Sequence, residues 1–354
     1  MKILLVQQKM IGDVLVSSLL CEHIKEHLPQ AEVHYVIEEH TTAVVEQNPY
    51  IDKIVLFRKS YKNCKREFYA FLKNIKGENY DVTIDVYGKI ESNLISYFSN
   101  APIKIAYPKW RSKFIYSHLI PIKTRQPDNT FTTIDDRLAL LSPIISENLD
   151  ASKRPKIYLN EKEIIEAQEF LRLHKIDINK SLIMLGVLGS GESKTYPLNY
   201  MAQLIDLIAD QTDATLLFNY IPSQANEAKM VYDLCKESTK NRIALDTFAP
   251  NLRKFIALLN CCDFYIGNEG GSTNMAKALG VPTFSIFAPW IDKIGWSTFA
   301  DEKNLSIHVA DYFSEELNEM PKKKLKKESR VLYKLLKPEN FQDKLINFLS
   351  NKYK

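Results

Sequence analysis

The sequence predicts an α/β protein built from two doubly wound domains, and three observations carry that prediction. Short apolar runs alternate with helical stretches from the first residues onward. The alternation breaks in a polar stretch without periodicity at residues 146–155 and then restarts. The chain has 354 residues, a length that favours two cores over one. Strands joined through helices imply parallel sheets covered on both faces.

Taken in order, residues 2–7 read as a strand and 14–28 as a helix stopped by Pro29. A strand at 32–37, a short helix at 42–47 and a strand at 53–57 follow. Next come a helix at 65–75, a strand at 82–85, a helix at 92–98, a strand at 103–107 and a helix at 134–141. Beyond the polar linker, 161–174 is helical, 181–186 a strand, 198–211 a helix and 215–219 a strand. A helix at 226–238, a short strand at 243–244 and a helix at 251–260 lead into the stretch "FYIGNEGGSTNMAKALGVPTFSIFAP". There, 264–266 is a strand, 274–279 a helix stopped by Gly280 and Pro282, and 281–287 a further strand. The expected domains are 1–155 and 156–330, with 331–354 forming a C-terminal helix that packs back on the first domain. Ligands in such sheets bind beyond the carboxyl ends of the strands, here in a cleft between the domains.

An apolar fraction of 45% and a charged fraction of 25% are those of a soluble globular protein. The net charge of +4 is too small to indicate a nucleic-acid partner. Its distribution tells more. Arg58, Lys59, Lys62, Lys65 and Arg66 open one basic stretch, residues 104–113 (with Lys109, Arg111 and Lys113) form a second, and 322–327 a third. Such runs are solvated faces, or they hold an anionic substrate or an anionic membrane surface. Five cysteines, odd in number and without C-x-x-C spacing, read as free thiols in a reducing compartment, with no zinc site. The N-terminal MKILLV is too short for a signal peptide, and no apolar run approaches the ~20 residues of a membrane span. The expectation is a cytoplasmic protein whose membrane contact, if any, is peripheral.

Three places carry candidate chemistry. In "QQKMIGDVLVSSLL", Asp13 follows Gly12 at the mouth of the first helix. An N-cap is the commoner use of an aspartate there. The other reading is a general base beyond the end of the first strand. In "GVLGSGESKTYPLNY", Ser193, Lys194 and Thr195 sit in a small-residue loop, where a lysine suits a diphosphate oxygen or is merely solvated. The spacing is not that of a P-loop. In the third, Glu269, Gly270, Gly271, Ser272 and Thr273 fill a strand–turn–helix unit. The free N–H groups at its helix start attract phosphate, although such a unit also packs ordinary α/β domains. The clustered carboxylates expected of a Mg²⁺ site are missing from it.

In order and spacing these pieces resemble glycosyltransferase family nine, the bacterial heptosyltransferases of the lipopolysaccharide inner core. The match runs through "ILLVQQKMIGDVLVSSLL", "YDVTIDVYGKIESNLISYFSNAPIKIAY", "IDDRLALL", "SKTYPLNYMAQLI" and "LNCCDFYIGNEGGSTNMAKALGVPTFSIFAP". The resemblance implies a GT-B fold, two Rossmann-like domains facing a cleft, with acceptor on the first and nucleotide sugar on the second. It implies inverting transfer of a heptose from ADP-heptose as donor substrate, with no other cofactor and no metal. Asp13 is then the base, Lys194 the phosphate contact, and residues 270–273 the turn whose amides hold the diphosphate. The acceptor implied is an anionic lipopolysaccharide core at the inner membrane's cytoplasmic face, which gives Arg58, Lys59, Lys62, Lys65, Arg66 and Arg111 a substrate to hold. This chain departs from the family's Asp-x-Gly-x-x-His, having Glu269, Gly271 and Asn274. Gln224 and Asn226 stand where relatives carry ribose-binding residues, and Pro289-Trp290, in the position of a family Gly-Pro-Thr, either lines the nucleotide pocket or simply packs. Two alternatives share this reading of the fold: a non-hydrolysing nucleotide-sugar epimerase, and a degenerate relative that binds nucleotide sugar or lipid without turnover.

Overall fold

The computed structural model describes residues 1–110, 113–123, 132–317 and 320–351. It divides into two compact units, Met1–Tyr158 and Leu159–Lys354. In the first, β1 (Lys2–Val6), β2 (Glu32–Glu38), β3 (Lys53–Phe57), β4 (Val82–Asp85), β5 (Ile103–Ala106) and β6 (His118–Leu119) form one sheet in the order β3-β2-β1-β4-β5-β6. Every pairing is parallel. The second sheet joins β7 (Leu182–Gly186), β8 (Thr215–Phe218), β9 (Ile243–Ala244), β10 (Phe264–Asn268), β11 (Thr283–Ile286) and β12 (Asn304–Ile307) in the order β12-β11-β10-β7-β8-β9. It too is parallel throughout. Read from its own first strand, each sheet has the doubly wound order 3-2-1-4-5-6, so its winding reverses between its first and fourth strands. Those reversal points are β1/β4 and β7/β10.

The central strands are buried apolar runs, as sheets covered on both faces require. Ile3, Leu4, Leu5 and Val6 of β1 are fully buried. On one face of the first sheet, Phe57, Tyr61, Phe68 and Phe71 pack ring on ring, Phe57 meeting the other three edge-on. The expected helix at 14–28 is two helices, Ile11–Ser17 and Leu19–His27. Ser18 divides them by turning its hydroxyl back to the Leu15 carbonyl at 2.7 Å, a bond that competes with the helical ladder. Strands β6 and β12 went unread: one is two residues long, and the other is the mixed polar run Asn-Leu-Ser-Ile.

The last helix, Gln342–Ser350, belongs to the second unit. Phe341, Leu345 and Phe348 are buried in the second core, with Phe348 5.2 Å from Phe264 and 5.7 Å from Phe284 between ring centroids. The apolar stripe of a short helix needs a partner surface, and the second sheet supplies it. Among the described residues no helix is long and apolar enough to cross a membrane.

Candidate active site

In the first unit a cavity of about 490 Å³ opens at the β1/β4 reversal point. Gln7, Lys9, Met10 and Asp13 line it from the segment after β1, and Val86, Tyr87 and Lys89 from the loop after β4. That second loop is fixed by Asp85. Its carboxylate accepts from the Gly88 amide at 2.7 Å and the Tyr116 hydroxyl at 2.6 Å. Burial raises the Asp85 carboxyl above the usual carboxylate range, against the pull of those two hydrogen bonds.

Asp13 does not cap the helix. Met10 holds the N-cap position without a side-chain bond, and Asp13 lies inside the first turn, where a negative charge suits the helix dipole. Its Oδ1 accepts from Arg137 Nη2 at 2.6 Å. Arg137 is buried in the helix Thr133–Ala139, where its Nε donates to Ser17 Oγ at 2.9 Å and its Nη1 to the Thr133 carbonyl at 2.9 Å. The capping box of Thr132 and Asp135 sets where that helix starts. A rigid guanidinium therefore orients the Asp13 carboxylate at the cavity wall. The stretch "IDDRLALL" gives Arg137 no evident role by itself; its one signal is an arginine between two acids and an apolar run.

The expected acceptor residues do not gather here. Arg58, Lys59, Lys65 and Arg66 are exposed, Lys62 pairs with Glu38, and none of the five lines the cavity. Arg111 lies outside the described residues. Lys9 and Lys89 bring the positive charge instead, each only a few residues beyond the end of a reversal-point strand. Among the described residues one group offers three potential metal ligands, His23, Glu26 and His27, and it does not line this cavity.

In the second unit the loops after β7 and β10 meet at the other reversal point. Gly186 and Gly267 are register partners there, and the strands pass closely. A Cβ on Gly267, whose φ is +142°, would stand 2.3 Å from the Gly186 carbonyl oxygen. Asn268 ties the two loops: its Oδ1 accepts from the Tyr196 amide at 2.8 Å and its Nδ2 donates to the Gly186 carbonyl at 2.8 Å. Next to it, Lys194 Nζ lies 3.3 Å from Glu269 Oε2.

The helix Gly271–Ala278 begins beside this pair, and its first-turn amides have no partner within the helix. A Cβ on Gly270 would meet nothing within 4 Å, so the turn is open on that side. Thr273, in the first turn of that helix, is buried. Ser272 Oγ is 2.8 Å from the Tyr265 hydroxyl. Asn274, where the family pattern has histidine, donates its side-chain amide to the Gly270 carbonyl at 3.2 Å. Thr195 closes its own loop, accepting from the Gly189 amide at 3.1 Å and donating to the Gly191 carbonyl at 3.0 Å. Ser193 contributes its carbonyl, which receives the Trp290 indole N–H at 3.0 Å.

The second unit's cavity, about 790 Å³, lies beside this loop and is lined by Gly191, Glu192, Thr195, Gln224, Glu227 and Arg330 among others. Neither Lys194 nor residues 269–273 line it. Gln224 reaches it while donating to the Gly189 carbonyl at 2.8 Å, whereas Asn226 does not line it; its acids are Glu192 and Glu227.

Two doubly wound units with polar groups at their reversal points are an α/β architecture whose general rule is ligand binding at the carboxyl ends of strands, and the chain's class is glycosyltransferase. The chain belongs to glycosyltransferase family 9: the family model described as "Glycosyltransferase family 9 (heptosyltransferase)" matches residues 68–312. It is 25% identical over 293 residues to the lipopolysaccharide heptosyltransferase 1 of Campylobacter coli, covering 81% of this chain and 84% of that one. The crystal structure of a family 9 glycosyltransferase from Veillonella parvula superposes with a TM-score of 0.75 at 19% identity, covering 94% of this chain and 97% of the other. E. coli heptosyltransferase WaaC with ADP-2-deoxy-2-fluoro heptose gives a TM-score of 0.66 at 16% identity, covering 98% and 100%. The shared fold is the expected GT-B class.

Proposed function

We propose that this enzyme moves a heptose from ADP-heptose to the anionic inner core of lipopolysaccharide, with inversion and without a metal. The observation that carries the reading is Lys194, paired with Glu269 beside an open turn at the β7/β10 reversal point, in a chain of family 9. Asp13 takes the proton of the acceptor hydroxyl as its oxygen attacks the anomeric carbon, and the bond to the diphosphate breaks from the opposite face. Charge builds on the departing diphosphate, where Lys194 and the amides of residues 271–273 stabilise it as it forms. Lys9 and Lys89 hold the acceptor's anionic groups beside Asp13. The names of the relatives support this donor and acceptor: one is called a lipopolysaccharide heptosyltransferase, and another was solved with an ADP-heptose analogue. The reading places the enzyme in the cytoplasm, meeting its acceptor at the inner membrane's surface.

Calorimetric titration with ADP, UDP and GDP in EDTA tests the donor. ADP is expected to bind most tightly, and Lys194→Ala to weaken it by about tenfold, the value of one charge-assisted contact. Tighter binding of UDP or GDP removes the heptose assignment. Asp13→Asn is expected to lower transfer by about 10²–10⁴-fold while leaving ADP affinity unchanged. An unchanged transfer rate would mean that Asp13 is not the base, and ADP binding without any transfer by the wild type would favour a degenerate relative.

A further inference from the structure

Trp290 collects three ammonium groups. Lys194 Nζ lies 5.5 Å from the centroid of its ring, Lys322 Nζ 5.7 Å and Lys326 Nζ 4.8 Å. Lys194 shares its charge with Glu269, but no ion pair joins Lys322 or Lys326 among the described residues. The two belong to the helix Lys322–Lys327 and stand four residues apart, so they share a face. Like charges so placed oppose the helix, and the half-buried ring offsets that repulsion only in part. The arrangement therefore holds two uncompensated positive charges against the loop that carries Lys194.

That placement is built into the packing. Arg330 Nη1 is 2.6 Å from Glu192 Oε1, and Tyr333 Oη donates to the Lys194 carbonyl at 3.5 Å. Ser329 Oγ reaches back to the Leu325 and Lys326 carbonyls at 3.0 Å, joining the lysine helix to the next one. Trp290, the hub, is itself pinned through its indole N–H to Ser193. Residues 322–327 lie beyond the range matched by the family model, so this lysine helix is not part of that match.

We infer that Lys322 and Lys326 are donor-binding residues, forming with Lys194 a three-lysine cradle around Trp290 that takes the diphosphate of a nucleotide sugar. The inference rests on the proposed donor site. Two added ammoniums match the charge that Glu269 leaves unmet on a diphosphate, and they lie where charge grows as the leaving group departs.

Titrations of the full chain with ADP and AMP test it, using K322A/K326A and the charge-matched control K323A/K324A, whose lysines do not reach Trp290. The double variant K322A/K326A is expected to weaken ADP binding about tenfold and AMP binding much less, with K323A/K324A close to wild type. Equal losses in both pairs would reduce the effect to long-range field and overturn the cradle. An unchanged ADP affinity in K322A/K326A overturns it while the donor reading stands. No ADP binding by the wild type removes the donor reading and the cradle together. Binding of the wild type to anionic phospholipid vesicles that K322A/K326A loses, with ADP affinity unchanged, would overturn the cradle and assign the lysines to the membrane.

Discussion

Arg137 Nη2 donates to Asp13 Oδ1 at 2.6 Å, joining positions 124 residues apart at one wall of the first unit's cavity. An arginine keeps its charge at every working pH, so the pair's capacity to accept a proton rests on Asp13. Arg137→Met removes the fork and with it the hydrogen bonds to Asp13, Ser17 and the Thr133 carbonyl. It is expected to cost the first unit about 2 kcal/mol, the worth of a hydrogen bond to a charged group. Turnover should fall with the KM for donor unchanged, because the proposed donor contacts lie on the second unit. Arg137→Lys keeps charge without the planar fork and should recover stability more than turnover. Full turnover in Arg137→Lys would show that charge alone positions Asp13.

Asn268 does for the second unit what Arg137 does for the first. Both ends of its buried amide are engaged, by the Tyr196 N–H and the Gly186 carbonyl. Asn268→Ala removes the side-chain partner of the Tyr196 N–H and of the Gly186 carbonyl and is expected to cost about 2–3 kcal/mol. Asn268→Asp keeps the acceptor and loses the donor. Urea unfolding gives the stability. ADP titration should show weaker binding in both variants, since the loops bearing Lys194 and Glu269 are no longer tied.

What the sequence disclosed follows the range of the interactions. Strands at 53–57 and 82–85 and the helix at 198–211 have the expected bounds, because local apolar pattern fixes them. The break at Ser18 depends on a hydroxyl's choice of carbonyl, which pattern does not record. Residue types at the sites were visible, since Asp13 and Lys194 each follow the first strand of a sheet. Their partners were not. Arg137, Asn268 and the lysines at Trp290 acquire roles only through contacts across long stretches of chain. The basic run at 58–66 differs in place: its residues are exposed and do not line the first unit's cavity, while the isolated Lys9 and Lys89 do.

Gly267 answers why a glycine ends an apolar strand. Its φ of +142° is closed to side chains, and the added Cβ would meet the Gly186 carbonyl oxygen at 2.3 Å. Neither term can relax without parting β7 from β10. Gly267→Ala is expected to destabilise the second unit by about 3 kcal/mol, combining backbone strain with overpacking. Gly270→Ala, with nothing within 4 Å of the added methyl, should leave stability near wild type and weaken ADP binding if the turn receives the diphosphate. Thermal unfolding and ADP titration of the two variants separate a glycine kept for packing from one kept for ligand approach. Loss of stability in Gly270→Ala would reverse that assignment.

Glu78 provides a pH-dependent contribution to the first unit. It pairs with Lys2 and with Lys53, and the hydrogen bonds from these lysines hold its carboxyl down to about 2 from the ordinary value of 4.5. A carboxylate with a depressed folded-state pKa stabilises the fold fully above its unfolded value and loses that contribution as pH falls through the folded one. The stability difference between wild type and Glu78→Gln should therefore be constant above about pH 5. It should shrink between about pH 4.5 and 2, where the wild-type carboxylate takes up its proton. Salt should reduce the plateau, since all three side chains are partly open to solvent. Urea titrations of both proteins at stepped pH read this directly. A difference that stays flat down to pH 2 would show that the two lysines do not hold Glu78 in its charged form.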